Sequence, residues 1–185
     1  IVELTKAGVS ELFGQGAGLV LLGCNTATAV AARTLQQDWL VRSQWSGARN
    51  ILGIVAPTVE VATQTPWAVT SPQYPQKYNT DTIVVFGTTR TISSGVYKEE
   101  IRKRCPSVSV VQQVCTEIVG AIEQRASEAE IDRLVAEGVG AAMAQTAGHV
   151  PHRAILGCTH FPLVEALFRR HLPAATRLLS QPEIV

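Results

Sequence analysis

The 185 residues carry a formal net charge of +1, with 46% hydrophobic and 17% charged side chains. That composition excludes a disordered chain, and the scattered basic residues leave no electrostatic footprint for nucleic acid or an anionic membrane. No apolar run reaches the about 20 residues a membrane span needs and Ile1 opens no signal-like segment, so the sequence points to a cytoplasmic protein.

In chain order, the spacing of Leu4, Ala7, Val9, Leu12 and Phe13 predicts a helix from Glu3 to Gly14. Leu19 to Leu22 is short and wholly apolar, which predicts a buried strand. The alanine-rich run from Thr26 to about Leu40 predicts a helix, with Asn25 or Thr26 placed to cap it. Ile51 to Val55 reads as a parallel strand, followed by a brief helix to about Thr65 and a proline-rich loop. Thr82 to Phe86 is a strand that runs into Gly87 and the hydroxyls of Thr88 and Thr91. A helix from Ser94 to Cys105 ends at Pro106, and Ser107 to Val111 is the next strand. Then come a short helix or turn from Val119 to Arg125 and a long helix from Glu128 to Ala147 capped by Ser127. The strand Ala154 to Gly157, the helix Pro162 to His171 and the strand Thr176 to Leu179 complete the chain. Strands alternating with helices predict an α/β fold with parallel sheets flanked by helices, and ligands in such sheets bind beyond the carboxyl ends of the strands.

Two stretches share one grammar. Gly18 to Ala29 reads G-L-V-L-L-G-C-N-T-A-T-A, and Ala154 to Leu163 reads A-I-L-G-C-T-H-F-P-L. Each is an apolar strand, a glycine, a cysteine and a helix start, and a helix N-terminus favours the thiolate. Cysteines on equivalent strands of two lobes can face each other across a cleft. One thiolate then removes a proton from a carbon while the opposite thiol delivers one to its other face, which inverts a stereocentre. The remaining cysteines, Cys105 and Cys115, read as packed side chains, and the wide spacing of all four excludes a disulfide scaffold. His149 and His152 precede the strand whose far end carries Cys158 and His160. About 15 Å of strand is too far for shared zinc ligation, so no metal site is expected.

G-C-N-T-A-T-A at Gly23 to Ala29 and G-C-T-H-F-P-L at Gly157 to Leu163 resemble the two signature motifs of the glutamate racemase family, within the cofactor-independent aspartate/glutamate racemases. F-G-T-T-R-T-I-S-S-G-V-Y, from Phe86 to Tyr97, is similar to that family's middle threonine-rich turn. The resemblance implies two pseudo-symmetric lobes with the active site in the cleft between them. It divides the chain into a first lobe at 1–66, a linker at 67–79, a second lobe at 80–172 and a return segment at 173–185. It implies Cys24 as the base for D-glutamate and Cys158 as the base for L-glutamate, with His160 and Glu123 assisting the second. Asn25, Thr26, Thr88, Thr91 and Thr159 then hold the substrate's α-ammonium and α-carboxylate. No cofactor is implied, and no lysine sits in a motif suited to a pyridoxal phosphate Schiff base. D-Glutamate for peptidoglycan and a homodimer belong to the same expectation. His160 favours the glutamate branch over the aspartate one. The family's Asp-Ser-Gly strand and Pro-Tyr-Gly loop have no counterpart in this sequence, so the resemblance also implies a first lobe short of its N-terminal strand, with apolar strand faces in water. Two alternatives stay open: a racemase of aspartate or a related acid, and an inactive binding or interaction fragment.

Overall fold

The computed structural model describes residues 1–75 and 81–184. The end of the expected linker at 76–79, the first residue of the expected second lobe at 80 and the last of the expected return segment at 185 lie outside the described residues. Two all-parallel sheets organise the chain. The first pairs β1 (Leu19–Leu22) with β2 (Asn50–Gly53). The second has four strands in the order β4-β3-β5-β6: β3 (Thr82–Gly87), β4 (Ser109–Val114), β5 (Arg153–Gly157) and β6 (Arg177–Leu179).

In the first half, α1 (Val2–Gly14) turns Val9 and Phe13 onto Val20, Leu22 and Ile51. The opposite face of the same sheet is open, with Leu19, Leu21 and Leu52 exposed. This matches the expectation of apolar strand faces in water. The alanine-rich run is helical through residues 25–42, but not the plain α-helix the sequence predicts. It is α-helical at α2 (Asn25–Ala27) and α3 (Leu40–Arg42) and π-helical at Thr28–Ala32 and Leu35–Trp39. Two side chains pin the wider turns to the strands: the Thr28 hydroxyl donates to the Leu22 carbonyl at 3.1 Å, and Gln36 Nε2 donates to the Ile51 carbonyl at 2.7 Å. The run packs so close to β2 that a Cβ on Gly53 would lie 2.2 Å from the Thr28 methyl. β2 ends at Gly53, short of the predicted Val55, because α4 (Val55–Thr63) already begins there with Pro57 in its first turn.

The second sheet is covered on both faces, as purely parallel sheets generally are. Along β3 and β5 every residue is buried. Val84, Phe86 and Leu156 face α7 (Thr116–Glu123), α8 (Glu128–Ala144) and α9 (Glu165–His171), meeting Ile118, Val135, Val139 and Phe168. Ile83, Val85 and Ile155 face α4 and α6 (Val96–Arg104), meeting Val59, Tyr97 and Ile101. Ser127 caps α8 by accepting the Glu130 N–H at 3.2 Å. β4 starts two residues later than predicted, since a turn closed by Val108 N–H on the Cys105 carbonyl occupies 105–108. Pro162 lies in a 3-10 turn, Phe161–Val164, that precedes α9. β6 pairs with β5, and the chain then reaches back to the first half, where Leu179 and Ile184 pack with Val55 and Val59 of α4 and the Gln181 side chain bonds Asn25.

Candidate active site

Three strand ends carry the candidate residues. After β1, Gly23 leads to Cys24, whose extended backbone (φ −102°, ψ 125°) forms the N-cap of α2. After β3, Thr88 caps α5 (Thr89–Ser93), its hydroxyl accepting the Thr91 N–H at 3.5 Å. After β5 comes Cys158. Gly87 and Gly157 are register partners, so Thr88 and Cys158 stand side by side at the carboxyl edge of the second sheet. Gly157 lies where only glycine fits, since a Cβ there would sit 2.8 Å from the Phe86 carbonyl oxygen.

The first half meets this edge through Thr26. Its hydroxyl lies 3.1 Å from that of Thr88 and 3.3 Å from that of Thr91, and Thr88 and Thr91 are 3.2 Å apart. Each hydroxyl has one proton that can rotate and two lone pairs, so the triangle can turn donors toward an incoming carboxylate. Thr159 is exposed between Cys158 and His160.

Cys24 is exposed and Cys158 buried. Burial pushes the Cys158 thiol up from its ordinary value. The His160 and Phe161 backbone N–H groups hold it down, while Cys24 and Glu123 push it further up. The sequence reading expects a thiolate favoured by the helix start; in the folded chain, desolvation outweighs those amide donors. A base beside the thiol can offset this. His160 Nδ1 lies 3.8 Å from Cys158 Sγ, and its Nε2 lies 3.1 Å from Glu123 Oε1. When Nε2–H donates to the carboxylate, the Nδ1 lone pair faces the sulfur and can take its proton.

Asn25 is buried, and its amide bonds Gln181 and Tyr97. Tyr97, Gln181 and Thr58 are neighbours of the site that the sequence reading does not single out. Tyr97 ends the threonine-rich stretch and so had a local signal, whereas Gln181 had none. Cys105 and Cys115 lie in the core, where burial raises both thiols and pushes Cys115 up to about 12. Among the described residues no group of three or more His, Cys, Asp or Glu is arranged to hold a metal ion, and no helix is long and apolar enough to cross a membrane. A cavity of about 520 Å³ lies elsewhere, bounded by Arg33, Trp67, Glu100 and Arg104, and neither Cys24 nor Cys158 lines it.

No family model matches the chain. Against the glutamate racemase of Phenylobacterium zucineum it is 46% identical over 186 residues, covering 99% of this chain and 65% of that protein. Against that of Caulobacter sp. it is 43% identical over 185 residues, covering 98% and 65%. By sequence, this chain is similar to glutamate racemases over nearly its whole length. It spans 65% of the length of these relatives. Solved glutamate racemases share its fold. The structure of a Bacillus anthracis isoform superposes with a TM-score of 0.70 at 22% identity, covering 100% of this chain and 62% of that one. The Francisella tularensis glutamate racemase, solved with D-glutamate, gives 0.68 at 22% identity, covering 92% and 54%. The Picrophilus torridus aspartate racemase gives 0.60 at 16% identity, covering 98% and 64%.

Proposed function

We propose that this chain carries the reaction centre of a glutamate racemase, which interconverts L- and D-glutamate by two-base proton transfer at Cα without a cofactor. The observation that carries this reading is the pairing of the cysteines. Cys24 and Cys158 come from different sheets, each where a strand hands over to a helix, and the two strand ends meet where Thr26, two residues after Cys24, lies 3.1 Å from Thr88, the neighbour of Cys158 at the sheet edge. The Thr26, Thr88 and Thr91 hydroxyls join the two halves beside them.

In the D-to-L direction Cys24 removes the Cα proton and the Cys158 thiol delivers one to the opposite face. In the reverse direction Cys158 must first lose its proton, and His160, held by Glu123, receives it. The threonines, Thr159 and Asn25 hold the α-ammonium and α-carboxylate. Hydrogen bonds to the carboxylate strengthen as negative charge spreads onto it from Cα, which is where they lower the barrier. D-Glutamate made this way would supply peptidoglycan in the cytoplasm, and a homodimer belongs to the same reading.

The test is exchange of the Cα hydrogen of L- and D-glutamate in D2O, followed by NMR, with aspartate in parallel. Deuterium should enter glutamate, and both Cys24→Ser and Cys158→Ser should stop its racemisation. Exchange into aspartate alone would move the chain to the aspartate branch. A folded chain that exchanges neither would overturn the reading.

A further inference from the structure

Behind Cys24 lies a relay of buried polar side chains whose polarity is fixed by one backbone carbonyl. The Thr58 hydroxyl has a single hydrogen, which goes to the Ile54 carbonyl oxygen at 2.8 Å. Toward Gln181, Thr58 Oγ1 can therefore only accept, so the Gln181 atom 3.1 Å away is the amide nitrogen. With Nε2 set toward Thr58, where it also lies 3.0 Å from the Tyr97 hydroxyl oxygen, Gln181 Oε1 accepts Asn25 Nδ2–H at 2.7 Å. On its other side Asn25 Oδ1 accepts the Tyr97 hydroxyl at 2.6 Å and Gln181 Nε2 at 3.0 Å. Burial pushes the Tyr97 phenol up, so it keeps its proton and remains a donor. Asn25, Gln181, Thr58 and Tyr97 are 2%, 1%, 0% and 0% exposed, so water offers them no alternative partners. An amide flipped within this relay would set acceptor against acceptor at one joint and donor against donor at the next.

We propose that Thr58 and Gln181 are positioning residues for the racemase site: the relay locks the Asn25 amide with Oδ1 saturated, so that next to Cys24 the chain offers substrate an N–H and never a C=O. This rests on the racemase reading above. An amide Nδ2 has two hydrogens, and Gln181 takes one. The other suits the α-carboxylate and the charge that grows on it, whereas a carbonyl in its place would repel both. Thr58 and Gln181 stand behind Asn25 and act through it.

The experiment uses the full chain with Thr58→Val, which removes the anchoring hydroxyl and keeps the shape, Thr58→Ser, which restores it, and Gln181→Glu, which removes the donor. Three quantities are read: KM and kcat for L-glutamate, the D-glutamate concentration that half-protects Cys24 from iodoacetamide, and the glutamate-free alkylation rate of Cys24. In Thr58→Val and Gln181→Glu, KM and the half-protecting concentration should rise about tenfold or more, the size of one lost hydrogen bond to a charged group. Thr58→Ser should stay near wild type, and glutamate-free alkylation should not change in any variant. Wild-type KM and protection in Thr58→Val would overturn the proposal. So would equal losses in Thr58→Ser with altered glutamate-free alkylation, which mark a merely structural role. Wild-type protein that neither exchanges glutamate nor is protected by it would instead overturn the racemase reading.

Discussion

Exposure separates the four thiols, and iodoacetamide followed by peptide mass analysis reads the separation. Cys24 should be labelled first and Cys105 and Cys115 last in the native protein. Cys158 should be slow at neutral pH. Its pKa is raised, so the thiol stays neutral until the pH passes the ordinary cysteine value of about 8.5, and labelling should accelerate only above it. Labelling of Cys158 at pH 7 as fast as Cys24 would contradict the burial argument. A second residue-scale test is His160→Asn, which removes the base beside Cys158. It should slow L-to-D turnover by about 10²-fold or more, the usual contribution of a general base, and slow D-to-L turnover less. The placement of Cys24 and Cys158 was legible because it is encoded locally, in a glycine and a thiol between strand and helix. Gln181 was not, since it acquires meaning only from Asn25, 156 residues away.

At the scale of elements, α9 holds the Cys158 turn in place through aromatic packing. Phe168 is fully buried, with its ring centroid 5.2 Å from that of Phe86 and 5.4 Å from that of Phe161. Phe168→Ala should cost about 3–5 kcal/mol in a denaturant titration, because the site is enclosed by α8, α9 and the sheet and leaves a cavity. The contact between α8 and α9 also has an acid-sensitive clamp. Asp132 accepts from His171 Nε2 at 2.8 Å and from Arg170 at 3.0 Å, and the His171 hydrogen bond is the main reason its carboxyl lies below the ordinary value. A depressed carboxyl contributes stability that is complete above the unfolded value of about 3.9 and is lost as the pH falls through the folded one. The stability gap between wild type and Asp132→Asn should therefore close in acid below about pH 3.9, and a gap that widens there would show the clamp works otherwise. Element identity was readable from apolar runs and caps such as Ser127. The π turns of the alanine-rich run were not, because Thr28 and Gln36 reach for strand carbonyls that only the folded chain supplies.

Over the whole molecule the two sheets differ in cover. The second is covered on both faces, with every residue of its central strands β3 and β5 buried, whereas β1 and β2 have one packed face and carry Leu19, Leu21 and Leu52 in the open. Amide exchange should therefore be much faster in β1 and β2 than in β3 and β5. Uniform slow exchange would mean the one-sided sheet is held by more than its packed face. The relay behind Asn25 bears on synthesis as well as on catalysis. A nascent chain that has left the ribosome as far as His171 already exposes both cysteines, with Thr26, Thr88 and Thr91 among them. Until Gln181 follows, the Asn25 amide is free to turn either way. Gln181 is thus made after the other members of the relay, so a chain stalled before it would hold both thiols beside an Asn25 amide of no fixed polarity.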